Sequence, residues 1–449
     1  MDDSPDDEGL GWSRPEDGLI EMLRQAGLNV PDGASLEDLL NLLANQMVSQ
    51  LKRRGGGPEA PVTWQAAKDA ARHQIASLGP DPVPDGRRTR EIADAVHLVE
   101  LWLDDYTVFP QLTLPPVAWS RADWIEQTMP KWQEMIEPVT STIAAGLQAT
   151  MGERLAEMGA APELTGFSDL LQPLLRQAAD GMFGSRLGKE LGRIATDIVT
   201  ATDLGFPLTP KLQVAVLPTN LAAAAEGLGV PETDVLLYHA IREAARQRLF
   251  GEVAWIGPQL VALVQHYARE IKIDPDSLTA AIEQAMPEQI TPETLSQFEG
   301  DINTVMFDPG KTDEQLAILE RLETLIALVE GWVDFVAGQA TAKWLPSAAA
   351  LAETVRRRRA SGGPAAEVFS TLLGLSIRPR RLREAEAFWD RLTAEQGVGG
   401  RDEAWNHPDR MPAAADLADP EAYLARLNGP AEDDPFDAEL RRLLDGEAG

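Results

Sequence analysis

A mainly helical fold with one small strand element is what this sequence predicts, and three observations point there. From Trp64 onward most apolar residues recur at i, i+3, i+4 and i+7, the spacing that lines one face of an α-helix. A single stretch, KLQVAVLP at 211–218, alternates as a strand does, with Leu212, Val214 and Val216 interleaved with Gln213 and Ala215 and a proline at either end. The composition, 44% hydrophobic and 25% charged, is that of a folded chain, and 449 residues suggest two or three lobes at roughly 100–200 residues per domain.

The elements follow in order. Residues 19–53 carry two short apolar-periodic segments, IEMLRQAGL and LEDLLNLLANQMVSQL, and then break at KRRGGGPEAP. Three glycines and two prolines make a flexible linker, so residues 1–55 are expected to be an appended helical unit with its linker. The main domain is expected over 62–428, punctuated by GPDPVPDG (79–86) and FPQLTLPPVAW (109–119). In GMFGSRLGKELG (181–192), Gly181, Gly184, Gly188 and Gly192 fall on one helical face. Each weakens a helix by about 1 kcal/mol relative to Ala, so a second backbone is expected to pack closely there. The run Arg356 to Arg359, followed by ASGGP, reads as a helix end, where cations suit the dipole and glycine the cap. Residues 429–449 form an acidic tail poor in aliphatics.

Charge and residue usage narrow the function classes. Acidic residues outnumber basic ones 71 to 40, a formal charge of −31, which repels nucleic acid and anionic membranes. The chain has no cysteine, so disulfides, thiolate zinc sites and cysteine nucleophiles are excluded. The start, MDDSPDDEGL, lacks the pattern of a signal peptide, and no run of about 18 apolar residues occurs, so a cytoplasmic location is expected. There is no GxSxG elbow. The neighbours Asp104 and Asp105 point apart on a helix and read as solvated.

Two segments remain that could carry chemistry. PETDVLLYHAIREAARQRLF opens with Glu232 and Asp234, acids suited to a helix N-terminus, and runs helically to Phe250. Arg242 and Arg246 lie one turn apart on it, flanking Glu243, where a zinc hydrolase helix would place His, Glu and His. The second segment, DEQLAILERLETLIALVEGWVDFVAGQA (313–340), sets Glu330 and Asp334 on one face of an apolar helix, where lone carboxylates are costly and need partners. A separate metal set is conceivable from His239, Glu243 and His266, two imidazoles and a carboxylate. His73, His97 and His407 have no partner spacing.

These residues carry a resemblance. WQAAKDAARHQIASLGPDP, HLVELWLDD, GRIATDIVTATDLGFPL, YHAIREAARQRLFGEVAW, LVEGWVDFV, RPRRLREAEAFWDRL and GRDEAWNHPDRMPAAADLADPEAY together resemble a bacterial family of zincin-like metallopeptidases, labelled hydrolases or zinc-dependent metalloproteases. The likeness runs from about Trp64 to Leu427 and implies a zincin-like core. Carried over, the HExxH positions are Arg242 to Arg246 and a later EGH is Glu330, Gly331 and Trp332, so the motif is degenerate and keeps only its glutamates. A guanidinium has no lone pair to give a metal, so three nitrogen ligands are missing and Glu243 survives only as a former general base.

Two neutral histidines with Zn²⁺ carry the same formal charge as two arginines. Arg242 and Arg246 could therefore serve as counter-ions to Glu243, Glu330 and Asp334, or could lie on a solvated face with only a local Arg246 to Glu243 pair. The expectation is a noncatalytic peptide- or protein-binding or scaffolding member, with no cofactor. The alternative is an active zinc metallohydrolase that uses His239, Glu243 and His266, the one case that calls for zinc.

Overall fold

The computed structural model describes residues 64–138, 184–270, 312–360 and 381–428. All of them fall in one compact unit made of Val62–Met158 and Ala178–Gly449. The expected N-terminal unit and acidic tail, with Gly181, lie outside the described residues.

The described chain is mainly helical. α1 (Trp64–Leu78) and α2 (Gly86–Leu103) are separated by the proline-rich stretch, and α2 starts where the Asp85 side chain accepts from Arg88 N–H at 2.8 Å. After β1 (Val117–Ala118) comes α3, described over 121–138. Ser120 and Asp123 cap it reciprocally, each accepting from the other's backbone N–H. α4 is described over 184–195, then β2 (Ala215–Val216), α5 (Pro218–Ala225), α6 (Glu232–Glu252) and α7 (Ile256–Arg269). α8 (Asp313–Thr341) begins with a full capping box between Thr312 and Gln315. α9 (Ala348–Ala360) contains the arginine run in its last turns, as the sequence suggested, and α10 (Leu382–Glu403) leads through two 3₁₀ turns into α11 (Ala414–Ala418) and α12 (Pro420–Asn428).

The expected strand at 211–218 shrinks to two residues. β2 pairs in parallel with β1, Val117 N–H donating to Val214 O and Trp119 N–H to Val216 O, both at 2.9 Å. Its other edge meets 199–201, where Ala201 N–H donates to Ala215 O at 3.0 Å. Only 214–217 is reached by either partner, and Pro218 already starts α5. The alternation disappears as well: Val214, Ala215, Val216 and Leu217 are all buried, because the strand is covered on both faces.

The glycine face behaves as a close packing surface. A Cβ on Gly192 would stand 2.7 Å from Ala71 O, and one on Gly188 would overlap Ala67 O, so α4 rests directly on the backbone of α1.

α6 and α8 form the interior of the unit. α6 packs against α2 and α8, and α8 also meets α7 and α10. Every residue of α6 from Tyr238 to Leu249 is buried. α6 is therefore not a surface helix, which would show water one polar face; here the charged side faces other helices.

Candidate functional site

Helical geometry assembles the centre. Residues four apart share a face, so Arg242 and Arg246 project from α6 toward α8, and Glu330 and Asp334 project from α8 toward α6. Arg246 grips Glu330 with two parallel bonds, Nε to Oε1 at 2.7 Å and Nη2 to Oε2 at 3.1 Å, and its Nη1 reaches Glu243 Oε2 at 3.0 Å. Arg242 Nη2 donates to Glu330 Oε2 at 3.0 Å, and Nη1 pairs with Asp334. Both guanidinium groups thus converge on Glu330 and join the two helices. The solvated-face arrangement is ruled out, since Arg246 and Glu243 are 0% exposed and Arg242 2%.

Glu243 is enclosed on its own side. Oε2 accepts from Thr202 Oγ1–H at 2.7 Å, Thr202 N–H at 3.3 Å and Arg246, and Oε1 accepts from Gln247 Nε2 at 3.0 Å. The loop that supplies Thr202 turns at Gly205, whose φ of +76° suits glycine. A Cβ at that glycine would lie 3.2 Å from Glu330 Oε1, so the loop presses directly on the shared carboxylate. In the same loop Asp203 accepts from Val199 N–H at 2.6 Å and from the Thr200 hydroxyl at 2.9 Å.

The ionisation of these groups follows from burial and neighbouring charge. Burial pushes the Glu243 carboxyl up, against the pull of Arg246, Gln247 and Thr202. Burial opposes the Arg246 charge too, but Glu330, Glu243 and Asp203 outweigh it and the pKa is raised. For Asp203 the penalty of burial is overcome by His239, Arg246 and the Val199 N–H, which hold its carboxyl below the usual range.

The remaining residues singled out from sequence go elsewhere. Trp332 is buried, but it donates from Nε1 to Asp402 Oδ1 at 2.9 Å and packs on Phe109, with ring centroids 5.5 Å apart. The reason is angular: at about 100° per residue, Trp332 points roughly 200° away from Glu330, so the EGH carry-over does not bring it to the arginine pair. His239 is buried edge-on to Tyr238, at 5.8 Å between centroids. His266 sits on α7 with its side chain 46% exposed and Nε2 3.9 Å from Glu314. His239, Glu243 and His266 therefore form no three-ligand set, and among the described residues no three His, Asp or Glu side chains are arranged to hold a metal ion.

Sequence reasoning missed Thr202, Gln247, Asp203 and Gly205. Gln247 had a signal, four residues after Glu243 on one helix; the loop residues had none, because only the fold carries 202–205 to α6. Sequence reasoning also missed a third buried arginine on α6. Arg248 Nε donates to Glu100 Oε2 at 2.9 Å, and its Nη2 also reaches Asp104 Oδ1 at 3.0 Å.

Zinc does not fit this centre. Its nitrogen positions carry guanidinium groups, which cannot ligate, and both oxygens of Glu243 and of Glu330 already accept from the protein.

Comparison with known proteins agrees with this architecture. A solved structure from Chloroflexus aurantiacus, described as "a putative hydrolase with a novel fold", is similar with a TM-score of 0.54 and 19% identity, over 82% of this chain and 100% of that one. At that identity the likeness shows the fold alone. No curated protein matches the sequence. The model of the family described as zincin-like metallopeptidase matches residues 62–424, and with four-fifths of the sequence inside that match this chain belongs to the family.

Proposed function

We propose that this chain is a noncatalytic member of its family that acts by binding a peptide or protein or by scaffolding. The observation that carries the reading is the enclosure of Glu243, the former general-base position: it is fully buried and both of its oxygens are taken. A general base must stand within hydrogen-bond reach of a substrate or of an attacking water. Here Thr202, Arg246 and Gln247 occupy that reach. The same closure argues that any peptide or protein partner binds outside this centre, and the net charge of −31 argues against nucleic acid.

The test is hydrolysis of a broad peptide mixture by the purified full chain and by Glu243→Gln. No turnover separating the two is expected. Turnover by the wild type that Glu243→Gln abolishes would restore the enzyme reading.

A further inference from the structure

We infer that Arg242 and Arg246 are the resident cations of the α6–α8 centre, holding the place that the family name assigns to zinc. The inference deepens the noncatalytic reading and rests on it for the identity of the centre.

Three observations carry it. The first is charge: two arginines supply the same +2 as two neutral histidines with Zn²⁺, so the carboxylates meet equal compensation either way. The second is connectivity. A catalytic zinc in a helical site joins ligands from separate elements, and Arg246 does this by itself, bridging Glu243 of α6 to Glu330 of α8, while Arg242 bridges to Glu330 and Asp334. The third is saturation and space. Arg246 uses Nε, Nη1 and Nη2 on carboxylates, Glu330 accepts from both guanidinium groups, and the Gly205 turn closes the side next to Glu330. A bidentate guanidinium fork is geometrically suited to this bridging role in a way that a lysine ammonium is not.

The fold should then be indifferent to metal. Replacing both arginines by histidine should convert the cross-link into a zinc-dependent one, with two nitrogen donors one turn apart facing Glu330.

The experiment is thermal denaturation of the full chain in EDTA and with added zinc chloride, for the wild type and for Arg242→His/Arg246→His. The wild type is expected to melt at the same temperature in both. The double variant is expected to melt roughly 5–10 °C lower in EDTA and to regain most of the loss with zinc. A wild type that loses stability in EDTA would overturn the inference, as would a folded double variant that gains nothing from zinc. Should the double variant fail to fold, Glu330→Gln decides. An equal drop in EDTA and in zinc supports the inference, and a drop that appears only with zinc present overturns it. Stabilisation of the wild type by zinc without Glu243-dependent hydrolysis would sink this inference and leave the noncatalytic reading standing; Glu243-dependent hydrolysis by a metal-indifferent protein would do the reverse.

Discussion

Arg246 and Arg248 lie two residues apart on α6, both fully buried, and they meet opposite worlds. Arg246 faces α8 and a loop, and its three nitrogens go to carboxylates and the Thr202 hydroxyl. Arg248 faces α2, where Nη2 donates to the Glu100 carbonyl at 2.8 Å and Nη1 to Phe109 O at 3.1 Å, and its second carboxylate, Asp104, is 44% exposed. One guanidinium bridges side chains of two helices; the other ties down a loop and pairs with a partly exposed carboxylate. A buried arginine is therefore no mark of a lost metal by itself. What sets Arg246 apart is its position one turn from a second arginine, with a shared carboxylate across the interface, and the proposed replacement of a metal rests on that arrangement.

Substitutions can break that comparison. The largest effect is expected at Arg246→Met, which leaves Glu243 and Glu330 short of a counter-ion in a dry interior, at about 3–5 kcal/mol measured by urea denaturation. Arg248→Met strands one buried carboxylate, Glu100, and should fall at the low end of that range. Equal losses would mean that the two arginines do the same job. Adding Glu330→Gln to Arg246→Met should recover part of the loss, with a coupling of about 1–3 kcal/mol, because the stranded charge goes too.

Gly331→Ala comes next. Its Cβ would lie 2.7 Å from Ala385 Cβ and 2.9 Å from Glu386 N, so α8 must move off α10, costing about 1–3 kcal/mol by the same measurement.

Acid has a gentler effect, with opposite signs at Asp203 and at the buried glutamates Glu100 and Glu243. The Asp203 pKa is depressed in the folded state, so its contribution to stability is present above the ordinary aspartate value of about 4 and is lost as pH falls through the folded value. Asp203→Asn should therefore lose less stability than the wild type between neutral pH and pH of about 3. Glu100 has the opposite sign, since burial raises its pKa and its ionisation costs stability as pH rises above about 4.

The smallest effect belongs to His266→Ala. The exposed imidazole pairs only loosely with Glu314, and a change within about 0.5 kcal/mol is expected.

How much of this was legible in the sequence follows from what periodicity can carry. The extent of α6, its acidic first turn and the one-turn spacing of Arg242 and Arg246 are local facts, and they stand as read, with α6 extending two residues past Phe250 to Glu252. The placement of Glu330 and Asp334 on one face is local as well, and the cost of isolated buried carboxylates correctly demanded partners for them. The burial of α6 was not legible. Arg242 and Arg246, with a local pair to Glu243, read equally as a solvated face until α8 is known to cover that side. Trp332 was misgrouped because a motif read along the chain ignores the 200° that separates it from Glu330 on the helix. The strand was overextended because alternation at 211–218 says nothing about how far its partners reach.

The most direct test of the account is the metal content of the full chain, purified without chelator or a nickel column and measured by mass spectrometry of the elements. Far less than one zinc per chain is expected, unchanged in Glu243→Gln and His239→Ala. Near-stoichiometric zinc that falls in those variants would contradict it and make the arginine helix a rearranged metal site.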